Sequence, residues 1–120
     1  MTEDLKIKVW EKGRVVDGLD PREYRKDACG ALMIFSKFGK TDDEFGWSVD
    51  HIYPQSKGGD DQLENLRPMQ VSNATSKGDD FPVYFRAVKM VDNRNIANRA
   101  QCRVSEKLTA KINELYGCQY

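Results

Sequence analysis

Apolar and polar residues alternate in short runs along much of this chain, which is the pattern of half-exposed strands rather than of long helices. The clearest run is 47–51, where Trp47 and His51 fall on one side of an extended backbone and Ser48 and Asp50 fall on the other. His51 is the only histidine of the chain and directly follows an aspartate. We therefore predict a strand that ends in an acidic and an imidazole side chain.

The segment after this strand predicts a hairpin followed by a helix. A polar, Gly-rich turn occupies residues 56–61, and a second short run opens at Asn65. Residues 70–77 contain no proline and are long enough for two helical turns. Strand, loop, strand and helix together predict a small unit that brings several side chains to one point.

Shorter elements are predicted before this unit. The alternation in 6–16 indicates a strand, Pro21 to Asp27 indicates a single helical turn after an aspartate cap, and the apolar run 29–38 indicates a strand that Gly39 ends. Residues 40–46 are acidic and predict a surface loop.

After the unit, the pattern predicts a second hairpin and a last helix. The strands are expected at 83–91 and 96–104, joined by a turn at 92–95. Ser105 is a suitable helix cap and Gly117 a suitable stop. The helix between them has one apolar stripe, made of Leu108, Ile112, Leu115 and Tyr116. We predict one α+β domain over residues 1–120, with its core motif at 46–80.

Composition and charge narrow the function classes. No apolar run approaches about 18 residues and the first ten residues lack a signal sequence, so we expect a cytoplasmic protein with no membrane partner. The three cysteines form no CxxC pair, which predicts free thiols and gives no support for a zinc knuckle. Net charge is zero, yet residues 1–80 carry a net −4 and residues 81–120 a net +4. The basic part suits phosphate contacts or is an ordinary solvated face.

The order of residues in 46–80 resembles the HNH nucleases. Asp-His is followed by a proline and a Gly-Gly turn, then by Asn-Leu, then by a helix that contains Asn and Lys and ends in Lys-Gly-Asp. The resemblance covers about 30 residues closely and reaches back through FGWSVDH and RKDACGA to Tyr24. It implies a ββα-metal hairpin-helix core with flanking antiparallel strands and a C-terminal helix.

The resemblance also implies an activity: metal-dependent hydrolysis of phosphodiester bonds in double-stranded DNA. It assigns His51 as the general base and Asp50 as a ligand of one divalent cation, and an aspartate oxygen suits Mg²⁺ or Mn²⁺. Asn65 stands fourteen positions after His51 and matches the family's middle asparagine. That residue bonds backbone across the loop and holds the histidine; an ordinary loop asparagine is the alternative.

The second ligand position is where this sequence departs from the family. Spacing from Asn65 and from Lys77 places that position at Ala74, whose methyl group cannot bind a cation. Three hypotheses account for it: a substitution made to inactivate a nuclease, a local helix shift that lets Asn73 serve, or loss of the metal with binding retained. The last is a function of another class, a non-catalytic DNA-binding module on a degenerate HNH fold.

Basic residues are the candidates for contacts to the nucleic acid. Lys77 is expected to approach a phosphate or to cap its helix, and Arg67 to contact phosphate or solvent. Arg99 and Arg103 share one face of the C-terminal hairpin and are expected to contact the DNA backbone, or to be a solvated face. Trp47 is assigned to the hairpin core rather than to base stacking.

Overall fold

A computed structural model describes all residues from 1 to 120 and contains three helices and three antiparallel strand pairs. In chain order the elements are α1 (Glu3–Trp10), β1 (Tyr24–Lys26), β2 (Leu32–Ile34), β3 (Trp47–His51), β4 (Leu66–Gln70), α2 (Val71–Lys77), β5 (Val83–Val91), β6 (Arg94–Arg103) and α3 (Glu106–Tyr116). The α+β fold class is confirmed. No helix is long and apolar enough to cross a bilayer.

The predicted hairpin and helix are present at the centre of the chain. β3 pairs with β4 in a register that sets Asp50 opposite Arg67 and His51 opposite Leu66. α2 begins directly after β4, and the side chain of Gln70 caps it by accepting from the Asn73 N–H at 3.0 Å. The loop between the strands is 14 residues long, 52–65, and includes short 3₁₀ turns at Gln55–Lys57 and Leu63–Asn65.

The predicted strand at 6–16 is wrong, because residues 6–10 belong to helix α1 and residues 11–16 form a turn and a loop with one isolated bridge, from Arg14 to Lys26. Alternation would bury Ile7 together with its neighbours two positions away, but Ile7 is exposed and Val9 and Trp10 are buried. The Thr2 side chain caps the helix by accepting from the Leu5 N–H at 3.2 Å. The cap and the burial of Val9 and Trp10 stabilise the helix more than the weak alternation of apolar residues favours a strand.

The elements between α1 and the hairpin are shorter than predicted. The turn at Pro21 forms but ends by Glu23, because residues 24–26 pair with residues 32–34 as strands β1 and β2. The strand predicted over 29–38 is confined to β2, and Phe35–Lys37 is a 3₁₀ turn. The loop 40–46 is confirmed.

The C-terminal hairpin and helix match the prediction closely. β5 and β6 pair along most of their length, and the turn shrinks to Asp92 and Asn93, both with positive φ, as a tight hairpin turn requires. Ser105 caps α3 by accepting from the Leu108 N–H at 3.2 Å, and Gly117 ends it with φ of 67°.

Two apolar clusters hold these elements, and the β3–β4 hairpin contributes to both. Trp47 and Leu66 pack in the cluster with α1, which confirms Trp47 as a core residue. Ile52 and Met69 pack in the other cluster, with β5 and α3. The hairpin is therefore fixed from two sides. The assignment of residues 1–120 to one domain stays a prediction.

Candidate active site

The carboxylate of Asp50 lies at the interface between the β3–β4 hairpin and α2. Its Oδ2 accepts from Arg67 Nε at 2.9 Å, and its Oδ1 lies 3.3 Å from Lys77 Nζ. The side chain is 8 % exposed. One buried anion therefore sits between two buried cations.

Each of the two cations, Lys77 and Arg67, also donates a hydrogen bond to a second group. Lys77 Nζ donates to the carbonyl of His51 at 3.1 Å, and Arg67 Nη2 donates to the hydroxyl of Tyr84 at 3.3 Å. Burial lowers the pKa of Lys77 although Asp50 opposes the shift. Burial also disfavours the charged form of Arg67, but the nearby Asp50 and Tyr84 keep the pKa of Arg67 above its ordinary value.

These contacts correct two predicted nucleic-acid residues. Lys77 was expected at a phosphate or a helix end, and Arg67 at a phosphate or in solvent, yet both charged groups face Asp50. Lys77 is 1 % exposed and Arg67 is 7 % exposed. Lys77 is therefore not placed to contact a DNA backbone, and Arg67 keeps only its Nη1 group outside its contacts with Asp50 and Tyr84.

His51 stands at the end of β3 with its imidazole partly open to solvent. Its Nε2 lies 2.7 Å from Oδ1 of Asp61, a loop residue, and its Nδ1 makes no hydrogen bond. When Nε2–H donates to Asp61, Nδ1 is the nitrogen with a free lone pair. Asp61 was not singled out in the sequence, because ten residues of loop separate it from His51.

Asp50 and His51 line one small pocket of about 190 Å³, although neighbours in a strand ordinarily face apart. Ala74, the position to which the resemblance assigns the second ligand, lines the same pocket from α2. Asp79, which follows the helix, also lines it. Asp79 lies beside this pocket because the chain turns back after α2, and the sequence alone did not indicate that proximity.

Asn65 is fully buried and bonds both ends of the loop that follows His51. Its Oδ1 accepts from the Tyr53 N–H at 2.7 Å, and its Nδ2 donates to the carbonyls of Tyr53 and Asp60 at 3.1 and 3.0 Å. Gly59 lies so close that a Cβ there would stand 1.8 Å from the Tyr53 carbonyl oxygen. The asparagine thus fixes the loop, which is the geometry that the family resemblance implied.

Asn65→Ala is expected to lower the free energy of unfolding by about 3 kcal/mol, because it leaves a buried N–H and two carbonyls without partners. Urea denaturation monitored by circular dichroism measures the change. Gln101→Ala, which removes an exposed amide of β6 that makes no side-chain hydrogen bond, is the matched control and should change stability by less than about 0.5 kcal/mol. A loss of similar size in both variants would contradict a special role for Asn65.

Asn73 does not reach the pocket, so its assignment as a metal ligand is corrected. Its Oδ1 accepts from the N–H groups of Ala87 and Val88 at 2.8 and 2.9 Å, and its Nδ2 donates to Val88 O and to Asp27 at 3.1 Å. One residue along a helix turns the side chain about 100°. The amide therefore fastens β5 to α2 and has no free lone pair for a cation.

Asp27 is a buried structural residue whose carboxylate accepts hydrogen bonds from distant parts of the chain. Its Oδ1 accepts from the N–H groups of Cys29 and Ala31, both at 2.9 Å, and its Oδ2 accepts from the Gln70 N–H at 3.0 Å and from Asn73 Nδ2 at 3.1 Å. It is 1 % exposed. This carboxylate joins the β1–β2 segment to the start of α2.

Arg99 and Arg103 are exposed on β6, as the prediction of a common face requires. The guanidinium of Arg99 lies 4.1 Å from the ring centroid of Phe85 on β5. Neither arginine has an acidic partner. Both charges are therefore available to a phosphate backbone.

The residues that line the pocket do not complete a site for a divalent cation. Asp50 offers one carboxylate, but both of its oxygens are engaged by cations. Ala74 offers no donor, and nowhere in the chain do three His, Cys, Asp or Glu side chains gather as ligands do.

Comparison with known proteins adds the family. The model of the HNH endonuclease family matches residues 42–83, which include β3, the loop, β4 and α2. Neither the curated proteins nor the solved structures contain a match to this chain. The matched segment holds Asp50, His51, Asn65 and Ala74. The family recognised from the sequence is thereby confirmed: residues 42–83 are an HNH endonuclease segment, and the general function that this supports is that of a nuclease.

Proposed function

We propose that this chain is an HNH endonuclease acting on double-stranded DNA, and that Ala74 leaves its Mg²⁺ or Mn²⁺ site incomplete. The observation that carries the proposal is the common pocket of Asp50, His51 and Ala74. Two of the three family positions hold a functional side chain there, and the third holds a methyl group. With Ala74 in place, the protein is expected to cleave weakly or not at all.

His51 is proposed as the general base. Its Nδ1 is free when Asp61 accepts from Nε2–H, so it can take a proton from a water that attacks the phosphate. Asn65 acts indirectly, as a positioning residue, because its hydrogen bonds to Tyr53 and Asp60 hold the loop that carries Asp61. This arrangement resembles other bases that a carboxylate orients.

Ala74 and the ion pairs of Asp50 favour a second candidate, a non-catalytic DNA-binding module. Here Asp50 is a structural counter-charge for Arg67 and Lys77, and no cation is bound. This candidate predicts DNA binding without cleavage, even when a ligand is restored at position 74.

A plasmid-nicking assay with Mg²⁺ or Mn²⁺ separates the two candidates. Ala74→Asn is expected to raise the nicking rate by about 100-fold or more, because even residues that only support a ligand typically account for 10–100-fold. Ala74→Asn combined with His51→Ala should fall back to the rate of the unsubstituted protein. Nicking that is equal with and without His51 would remove it from the mechanism, and no gain from Ala74→Asn would favour the binding module.

Arg99 and Arg103 are proposed to contact the DNA backbone. Replacing either with alanine is expected to weaken binding of a duplex of any sequence and to reduce the slope of log affinity against log salt by about 1. Fluorescence anisotropy at several salt concentrations measures both quantities. The matched control is Lys107→Ala on exposed α3, and an equal slope in all variants would place the DNA elsewhere.

A further inference from the structure

A second cavity, of about 520 Å³, is separate from the His51 pocket and shares no lining residue with it. It lies where the end of α1, strand β4 and helix α3 meet. Neither the family match nor the proposed nuclease function gives it a role, since most of its lining lies outside residues 42–83.

The lining of this cavity is strongly basic although the whole chain is neutral. Four of its residues are basic and one, Glu64, is acidic, whereas the chain has 19 residues of each sign. The four basic residues are Lys12, Arg14, Arg67 and Lys111. A local net charge of +3 on a neutral protein favours an anionic occupant.

Several donors around the cavity have no acceptor in the protein. The guanidinium of Arg14 makes no hydrogen bond or ion pair, and Lys111 has only a contact of 4.0 Å with Glu114. Lys12 Nζ donates to the carbonyls of Leu63 and Leu66, so one of its three N–H bonds is left over.

Arg67 adds a donor from the wall of the cavity. Its side chain is 9 % exposed, and it uses Nε for Asp50 and Nη2 for Tyr84, while Nη1 has no partner. No buried side-chain nitrogen or oxygen of the protein lacks a hydrogen-bond partner, so Nη1 reaches the open side of the cavity, where its N–H groups can donate to an anion.

The other part of the lining is apolar. Ile52, Leu66, Pro68 and Leu108 contribute to it, and Leu108 is the one of the four that is partly exposed. Inorganic phosphate would contact only the cations and leave this surface wet. A ligand that fills both parts carries a phosphate and a flat, weakly polar body.

We propose that this cavity binds a nucleotide, with its phosphate among Lys12, Arg14, Arg67 and Lys111 and its base against the apolar surface. The volume admits a mononucleotide, and the donors outnumber the acceptors as a phosphate requires. The site shares no lining residue with the nuclease pocket, although Arg67 bonds Asp50 between the two, and residue 74 does not line it.

Titration of the ¹⁵N-labelled chain with adenosine 5′-monophosphate, at low salt, tests the proposal by NMR. We expect saturable shifts in the amides that surround the cavity, with a Kd on the order of 1 mM or lower. Adenosine and inorganic phosphate, each lacking one half of the ligand, should bind at least about fivefold more weakly. Lys111→Glu should weaken binding of the nucleotide by about fivefold or more, since it reverses a charge at the rim.

Lys107→Glu is the matched control, because it makes the same exchange one turn earlier on α3 and outside the cavity. It should leave the affinity within about twofold. Both lysines are exposed, so neither exchange should unfold the protein. The proposal is overturned by the absence of saturable shifts, by equal affinity for adenosine or phosphate, or by equal effects of the two exchanges. None of these results would alter nicking by Ala74→Asn.

Discussion

Asp50→Ala is expected to lower the free energy of unfolding by about 3 to 5 kcal/mol, which is the usual cost of removing one partner from a buried ion pair. The carboxylate is the counter-charge of two cations, Arg67 and Lys77, which are both buried. Without it, two positive charges remain together in a poorly solvated place. Urea denaturation at neutral pH measures the loss.

Two further variants identify the cause of that loss. Asp79→Ala removes an exposed carboxylate from the same pocket and should cost less than about 0.5 kcal/mol. Lys77→Met added to Asp50→Ala should recover stability, because it removes one of the two unpaired charges. A loss below about 1 kcal/mol for Asp50→Ala, or no recovery in the double variant, would mean that water compensates these cations.

This instability has a consequence for the nuclease assignment. Loss of cleavage in an Asp50 variant could arise from an unfolded pocket as readily as from a missing ligand. Exchanges at Ala74 and His51 avoid that ambiguity, since neither side chain takes part in a buried ion pair. The nicking assay therefore depends on those two positions.

Asp27→Asn is expected to cost about 3 kcal/mol or more. Four N–H groups converge on the carboxylate, from Cys29 and Ala31 on one oxygen and from Gln70 and Asn73 on the other. An asparagine presents a single oxygen, so its NH₂ group faces two donors whichever way it turns. Each orphaned buried donor costs about 1–3 kcal/mol.

Differential scanning calorimetry and the urea midpoint measure the effect of Asp27→Asn. Asp42→Asn, in the exposed loop before β3, is the matched control and should shift stability by less than about 0.5 kcal/mol. Equal midpoints for the two variants would show that the four hydrogen bonds are replaced by water when Asp27 is exchanged.

The sequence by itself determined the hairpin, its helix and the C-terminal elements. Asp50, His51, Asn65 and Lys77 belong to one local segment in which turn residues, caps and a short period act over a few positions. Ser105 and Gly117 delimit α3 for the same reason, since caps are local chemistry. Such features are readable because their partners are near in sequence.

Tertiary structure decided which of these side chains remain free to act. Lys77 looks like a phosphate contact in the sequence, but packing of α2 on the hairpin buries it against Asp50, and the same carboxylate engages Nε of Arg67. The side chain of Asn73 is hydrogen-bonded to β5, and Asp27 accepts a hydrogen bond from a residue more than 40 positions away. Burial and long-range hydrogen bonds depend on how distant segments pack, and no local pattern encodes them. The segment therefore indicated the chemistry, while the fold determined which charged groups are available for it.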